Sequence, residues 1–262
     1  MYLKKLQKEQ WSLLNNNHYY QIHFMNQLGK TKSIIDHLYP GAAITCCFII
    51  LTPFVIQHHY PPQFSMLLSF IIVAIPLLIA HLLSVKKKEN LSSVLQVNGY
   101  NNKLPAGRLI LYALGLVVFA FLVWGITQPL DKIITTKLFS WLPGWYTVQD
   151  FNGYSKDAIK VTLILNLILN GLLAPLVEEF YFRGYLLSRM AAWGKWAFVL
   201  NAVLFSLYHL WQPYIYLTLI ISLLPMTWLV WKTKDLRLAI LAHCLLNITG
   251  ALLSFGLLSK SS

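Results

Sequence analysis

The chain has 262 residues, of which 57% are hydrophobic and only 11% are charged, and its mean hydropathy is +0.57. A soluble domain carries about 25% charged residues, so this composition excludes a soluble domain and indicates an integral membrane protein. The formal net charge of +12 does not indicate a nucleic-acid site, because the basic residues lie between apolar runs and are not interleaved with aromatic residues. The three cysteines lie inside apolar runs and form no CxxC pair, so neither a disulfide framework nor a structural zinc site is expected.

The chain begins with a polar and aromatic segment, residues 1–40, for which we predict a cytoplasmic tail that is either disordered or lies partly on the membrane surface. The first apolar run begins only near Gly41, so we expect no cleavable signal peptide. Seven apolar runs long enough to cross a bilayer follow, at residues 41–57, 64–85, 107–127, 161–182, 196–212, 214–231 and 236–257. They predict an all-α, polytopic bundle of seven transmembrane helices in a single domain, residues 41–257. The connection at 128–157 is long and rich in aromatic residues, which leaves room for an eighth short helix.

The basic residues predict the orientation of the bundle. Sixteen lysines and arginines fall in segments 1–40, 86–108, 183–195 and 232–237, and five fall in the alternate connections and the C-terminus. Because basic residues concentrate on the cytoplasmic side, this asymmetry predicts a multi-pass protein of the cell membrane with a cytoplasmic N-terminus.

Three charged residues stand out at the end of the fourth run and directly after it, Glu178, Glu179 and Arg183. A charge at bilayer depth costs at least about 2.5–3.5 kcal/mol, so three in six residues require an explanation. Glu179 and Arg183 are four residues apart and can pair on one helix face, whereas Glu178 points about 100° away. The alternative is a helix that has left the membrane by residue 178, with solvated charges. We favour a helix that continues to about Met190, bent near Gly171 or Pro175.

Two further polar groups lie on the later helices. His209 follows Phe205 by four residues in the fifth run, and His243 precedes Asn247 by four residues in the seventh, so each pair shares a helix face. Taken alone, His209 is typical of a hydrogen-bonded core histidine, and the second pair is typical of polar residues that join membrane helices.

Other polar residues in the spans carry less information. Asn166 and Asn170 in the fourth run are candidates for contacts between helices. His81, near the inner end of the second run, is expected to have no polar companion.

Buried polar groups must find partners, so we expect these side chains to meet inside the bundle. A carboxylate and an imidazole can hold and deprotonate water. A second imidazole and an amide can donate hydrogen bonds to an oxyanion. Together these groups can hydrolyse an acyl bond. Glu178, His209 and His243 could equally be three ligands of a catalytic zinc ion.

The order EExxxR, FxxxH and HxxxN on successive hydrophobic helices resembles the CAAX-protease and bacteriocin-processing family, the Abi family of intramembrane endopeptidases, which includes the type II CAAX prenyl proteases. The motif region covers about residues 160–257. The resemblance implies that Glu178 and His209 activate water and that His243 and Asn247 form the oxyanion site. It also implies that Glu179 and Arg183 brace the geometry, and that hydrolysis depends either on a metal such as zinc or on the glutamate alone.

The expected activity is therefore that of an intramembrane endopeptidase whose peptide or protein substrate is met at the lipid bilayer. Peptide or bacteriocin processing, self-immunity and CAAX-type processing are all compatible with the resemblance. A catalytically silent scaffold of the same fold, which binds a partner or confers immunity, is the alternative. A transporter is disfavoured because the sequence lacks paired repeats.

Overall fold

The apolar runs form helices, and the computed structural model describes the backbone of residues 25–260 and the side chains of residues 25–256. Of the tail predicted for residues 1–40, residues 1–24 lie outside this part of the chain. We number the seven helices in chain order: α1 Lys30–Gln57, α2 Pro62–Lys88, α3 Ala106–Leu138, α4 Lys156–Arg189, α5 Ala197–Tyr208, α6 Tyr216–Thr233 and α7 Leu236–Lys260. The described residues contain no strand, only one isolated bridge between Asn101 and Asp235. The prediction of an all-α polytopic bundle is confirmed.

The expected count of seven or eight spans is not confirmed. In the part of the chain that the structure describes, six helical segments are long and apolar enough to cross a membrane. The exception is α5, whose 12 residues cover only about 18 Å at 1.5 Å per residue, short of a hydrocarbon core of about 30 Å. In the 128–157 connection, α3 continues to Leu138 and one short 3₁₀ turn follows, Gly144–Tyr146, in place of an eighth helix.

Two helix boundaries differ from the apolar runs. Helix α1 begins at Lys30, inside the segment assigned to the tail. Its first turns are polar, so the start of the apolar run near Gly41 did not mark the start of the helix. The prediction that the fourth helix continues to about residue 190 is confirmed, since α4 runs without interruption to Arg189. It contains two π-helical segments, Leu169–Leu173 and Phe180–Leu186, on either side of the two glutamates.

Helix α7 packs against α3 and along most of α4, while α5 lies between α1 and α6. The contact between α1 and α5 is close at Gly41, where a Cβ atom would overlap the carbonyl oxygen of Tyr208. The core at this contact is aromatic and contains Phe48, Phe182 and Phe205. These contacts bring the polar faces of α4, α5 and α7 together inside the bundle.

Candidate active site

The first part of the site is the middle of α4. Glu178, Glu179 and Arg183 are all buried, with 3%, 0% and 0% of their surface exposed. Glu178 precedes Arg189, the last residue of the helix, by eleven residues, which corresponds to about 16 Å along the helix axis. The structure therefore disagrees with the alternative in which the chain has reached solvent by residue 178.

Glu179 lies at the centre of an ionic cluster. Its Oε1 accepts hydrogen bonds from Nη1 of Arg183 at 3.1 Å and from Nδ1 of His243 at 2.8 Å. Because an ionised carboxylate can only accept, Nδ1 of His243 carries the proton in this contact. Glu179 thus joins the charged residues of α4 to the histidine of α7, and it fixes the orientation of that imidazole ring.

Arg183 is also held by an aromatic ring. Its Cζ lies 3.9 Å from the ring centroid of Phe205, which is a cation–π geometry. The same ring meets His209 and His243 edge to face, with centroid distances of 5.0 and 6.3 Å. Phe205 is therefore packed against the guanidinium and both histidines.

Glu178 and His209 are related through Tyr208. The Tyr208 hydroxyl donates a hydrogen bond of 3.1 Å to Oε1 of Glu178, and the rings of Tyr208 and His209 meet edge to face at 5.0 Å. His209 follows the last residue of α5, and its Nδ1 lies 2.8 Å from the carbonyl oxygen of Phe205. A carbonyl only accepts, so Nδ1 is protonated and the lone pair of Nε2 is available as a base. Among the described residues no hydrogen bond joins Glu178 directly to His209.

Asn247 is bound to the backbone of α4. Its Nδ2 donates to the carbonyl oxygen of Asn170 at 2.7 Å. That carbonyl lacks its usual helical partners, because the N–H of Ala174 binds Leu169 in the π-helical segment and Pro175 has no N–H. The side chain of Asn247 therefore satisfies an acceptor that Pro175 leaves unpaired. The same nitrogen also lies 3.5 Å from Oδ1 of Asn170, at the outer limit of a hydrogen bond, so its second proton has only a weak partner within the protein.

A small cavity of about 20 Å³ adjoins His243 between α3, α6 and α7. Ser222 also lines it, and its buried hydroxyl has no hydrogen-bond partner in the structure. A space of about 10–15 Å³ suffices for one water, so the cavity is large enough for a water that contacts both polar side chains.

The side chains predicted as zinc ligands are not grouped as a metal centre in the part of the chain that the structure describes. Within residues 25–256 no group of three or more histidine, cysteine, aspartate or glutamate side chains is arranged to hold a metal ion. Nδ1 of His243 binds Glu179, and the Tyr208 hydroxyl binds Glu178. Glu178, His209 and His243 are thus not arranged as a metal-binding set in this structure.

Sequence reasoning missed two contributors to the site, Tyr208 and the carbonyl of Asn170. Tyr208 is a hydroxyl-bearing residue next to His209 in an apolar helix, and that was the available signal. Asn170 lies five residues before Pro175, the spacing at which a π-helical carbonyl loses its donor. The interpretation of Asn166 as a contact between helices agrees with its 3.0 Å hydrogen bond from Gln63 of α2.

Fold and site together define a multi-pass helical membrane protein with a buried carboxylate, histidine and arginine cluster on three helices. The family model described as type II CAAX prenyl endopeptidase Rce1-like matches residues 160–249 and so includes every residue of the three motifs. No curated protein and no solved structure matches the chain. The resemblance to the CAAX-protease and bacteriocin-processing family is thereby confirmed, and it supports a CAAX-type intramembrane protease in general.

Proposed function

We propose that the protein is an intramembrane endopeptidase in which Glu178 and His209 activate the water that attacks the peptide bond. The observation that carries the proposal is the buried Glu178–Tyr208 contact beside His209. Burying a carboxylate inside an apolar bundle costs free energy, so a residue of this kind indicates a functional site. A water molecule inside the bundle must be held by polar groups such as these.

In this mechanism the two activating groups have separate roles. The Tyr208 hydroxyl binds Oε1 of Glu178 and thereby leaves Oε2 to accept a hydrogen bond from water. Nε2 of His209 accepts a second one, because Nδ1 is fixed by the Phe205 carbonyl. Transfer of a proton from water to Glu178 produces the nucleophile, and the same proton is later returned to the amine that leaves.

The oxyanion of the tetrahedral intermediate is assigned to His243 and Asn247. With Nδ1 donating to Glu179, His243 donates from Nε2 only as an imidazolium, and the carboxylate of Glu179 stabilises that charge. Asn247 donates through the amide proton that does not bind the Asn170 carbonyl, and this proton exchanges its 3.5 Å contact with Oδ1 of Asn170 for the oxyanion. Arg183 forms an ion pair with Glu179 at 3.1 Å and so helps to hold the carboxylate that orients the histidine.

A peptide or protein substrate that meets the enzyme in the bilayer follows from the position of the site. The matched family favours a substrate of the CAAX type, and peptide processing, bacteriocin maturation and self-immunity use the same chemistry. A catalytically silent scaffold is the second candidate, favoured by the observation that the Asn247 amide already has a partner within the protein.

The test is peptidase activity of Glu178→Gln, which keeps the shape of the side chain and removes the base. We expect a loss of about 100- to 10,000-fold, the usual effect of losing a general base. Asp157→Asn is the matched control, because it makes the same chemical change at an exposed position of the same helix. It should retain activity, and both variants should melt close to the parent protein in detergent.

Two further variants test the supporting roles. Tyr208→Phe removes one hydrogen bond to a carboxylate and should lower activity by about tenfold or more. Asn247→Ala removes one oxyanion donor and should cost about 100- to 1,000-fold in kcat. Full activity of Glu178→Gln would contradict the proposal and favour the scaffold. Metal analysis of active protein provides an independent check, since bound zinc that is lost in His243→Ala would restore the metal alternative.

A further inference from the structure

A groove of about 450 Å³ lies away from the candidate active site, between the start of α1 and the second half of α2. It is lined by α1, α2 and Tyr185 of α4, by residues 26–29 before α1, and by Glu89 directly after α2. The lining of the groove includes Tyr39, Leu77, Ala80, His81, Ser84 and Lys88. Its volume is within the range of about 300–1,000 Å³ that is typical of ligand pockets.

The polar wall of the groove is held in place by hydrogen bonds. The Tyr39 hydroxyl lies 2.7 Å from Nδ1 of His81, and the Tyr185 hydroxyl lies 3.3 Å from Nε2 of the same ring. Tyr181 reaches the same histidine at 3.3 Å. The expectation that His81 lacks polar companions was therefore wrong, because its partners come from α1 and α4 and are distant in sequence. The wall presents fixed hydroxyl groups to a ligand.

Of the two lysines among the described residues that line the groove, one has no ion-pair partner. Lys32 pairs with Asp36 at 2.8 Å, and Arg189 pairs with Glu89 at 2.9 Å. Both carboxylates near the groove are therefore neutralised by basic residues of the protein itself. Lys88 is exposed at the mouth, and it forms no ion pair within the part of the chain that the structure describes. The mouth is complementary to an anion.

The lining of α2 changes from apolar to basic along the helix. Leu77, Ala80, Ser84 and Lys88 follow one another at spacings of three or four residues, so they form a single stripe. The stripe is about 16 Å long and ends at the basic run of residues 86–88. An ionic ligand alone would not use its apolar half, whereas an amphiphile with an acyl chain and a charged headgroup matches both halves.

We propose that this groove binds one anionic phospholipid. Lys88 contacts the phosphate, the hydroxyl groups of Ser84 and Tyr185 donate hydrogen bonds to the headgroup, and an acyl chain follows Leu77 and Ala80 towards the bilayer interior. Basic pockets between transmembrane helices at a membrane surface recognise such headgroups. The inference concerns lipid binding and does not depend on the proposed peptidase activity.

The test measures lipid binding to the purified full-length protein by native mass spectrometry, with phosphatidylglycerol and phosphatidylcholine of the same acyl chains. We expect the protein to prefer phosphatidylglycerol. Lys88→Ala should weaken its binding about fivefold, as expected for one basic residue near an anionic lipid surface. Lys87→Ala is the matched control, because it removes the same charge from the neighbouring residue, which does not line the groove.

A second pair of variants tests the shape of the groove without changing charge. Ala80→Trp fills the apolar half and should abolish the preference, whereas Ile79→Trp, on the adjacent exposed residue, should leave it unchanged. Equal losses in Lys88→Ala and Lys87→Ala would show diffuse attraction and overturn the proposal. Displacement of the lipid by millimolar inorganic phosphate would also overturn it, since the groove would then be a site for a free anion.

Discussion

Replacing Arg183 with methionine is expected to destabilise the protein by leaving Glu179 charged and buried without its counter-ion. Both side chains of the pair are 0% exposed, and the two charged groups are 3.1 Å apart. Methionine has a similar length and is apolar, so it retains contact with the Phe205 ring and limits the formation of a cavity. The loss is therefore mainly electrostatic.

The magnitude follows from the burial of the pair. Removing one partner of a fully buried ion pair costs about 3–5 kcal/mol, because the remaining charge has no compensation. For chains of this size each kcal/mol lowers the melting temperature by about 2–4 °C, so we expect a decrease of about 6–20 °C. His243 offsets part of this loss if it becomes protonated, since its Nδ1 is 2.8 Å from the same carboxylate oxygen.

The assay is thermal unfolding in detergent combined with peptidase activity. Adding Glu179→Gln to Arg183→Met removes the stranded charge, so the double variant should recover at least half of the lost melting temperature. Activity should not recover, because a neutral amide accepts the hydrogen bond of His243 but does not stabilise its imidazolium form. Lys87→Met serves as the control for loss of a basic residue and should melt like the parent protein.

Two results would refute this reasoning. A double variant that melts no higher than Arg183→Met would show that Arg183 does not compensate the charge of Glu179. A double variant that regains full activity would show that His243 works without a carboxylate partner.

Three other predictions address separate features. A reporter fused after Lys88 should read cytoplasmic and one fused at Tyr146 external; the opposite pair of results would contradict the predicted orientation. Gly41→Val should prevent normal packing of α1 on α5, whereas Gly115→Val, at a position with open space, should leave expression and melting nearly unchanged. Burial lowers the pKa of Lys234 from 10.5 to about 8, so between these values the unfolded chain binds more protons, and stability should rise with pH. Lys234→Met should flatten that rise in unfolding measurements from pH 8 to 10.5, and an unchanged slope would contradict the assignment.

The sequence was sufficient for the local geometry of α4. Helical periodicity predicted that Glu179 and Arg183 share a face while Glu178 points elsewhere, and the structure has Glu179 bound to Arg183 and Glu178 bound to α5. Such relations depend only on residues within one or two helical turns. The hydrophobic runs likewise predicted the all-α class of the bundle, although six helical segments in the described part of the chain, and not seven or eight, are long enough to span a membrane.

Relations between helices could not be predicted from the sequence. The contact of His243 with Glu179 joins residues 64 positions apart, and no periodicity constrains it. The short length of α5 could not be predicted because the apolar run continues past His209. In the structure the helix ends at Tyr208, and the N–H of Leu210 donates to the Tyr208 carbonyl. The π-helical segments of α4 have no distinct amino-acid composition. The hydrogen bond between Asn247 and the Asn170 carbonyl could therefore not be predicted from the sequence.

The Asn170 carbonyl also determines how α7 is aligned along α4. Because Pro175 has no N–H, the Asn170 carbonyl lacks a donor within α4, and the side chain of Asn247 donates the missing hydrogen bond from α7. Sliding α7 along α4 would strand an acceptor among apolar groups, at a cost of several kcal/mol. His243 lies one helical turn before Asn247. The hydrogen bond from Asn247 to Asn170 therefore also fixes the position of His243 along α4, opposite Glu179. The alignment of the two halves of the site thus depends on a proline that takes no part in the chemistry.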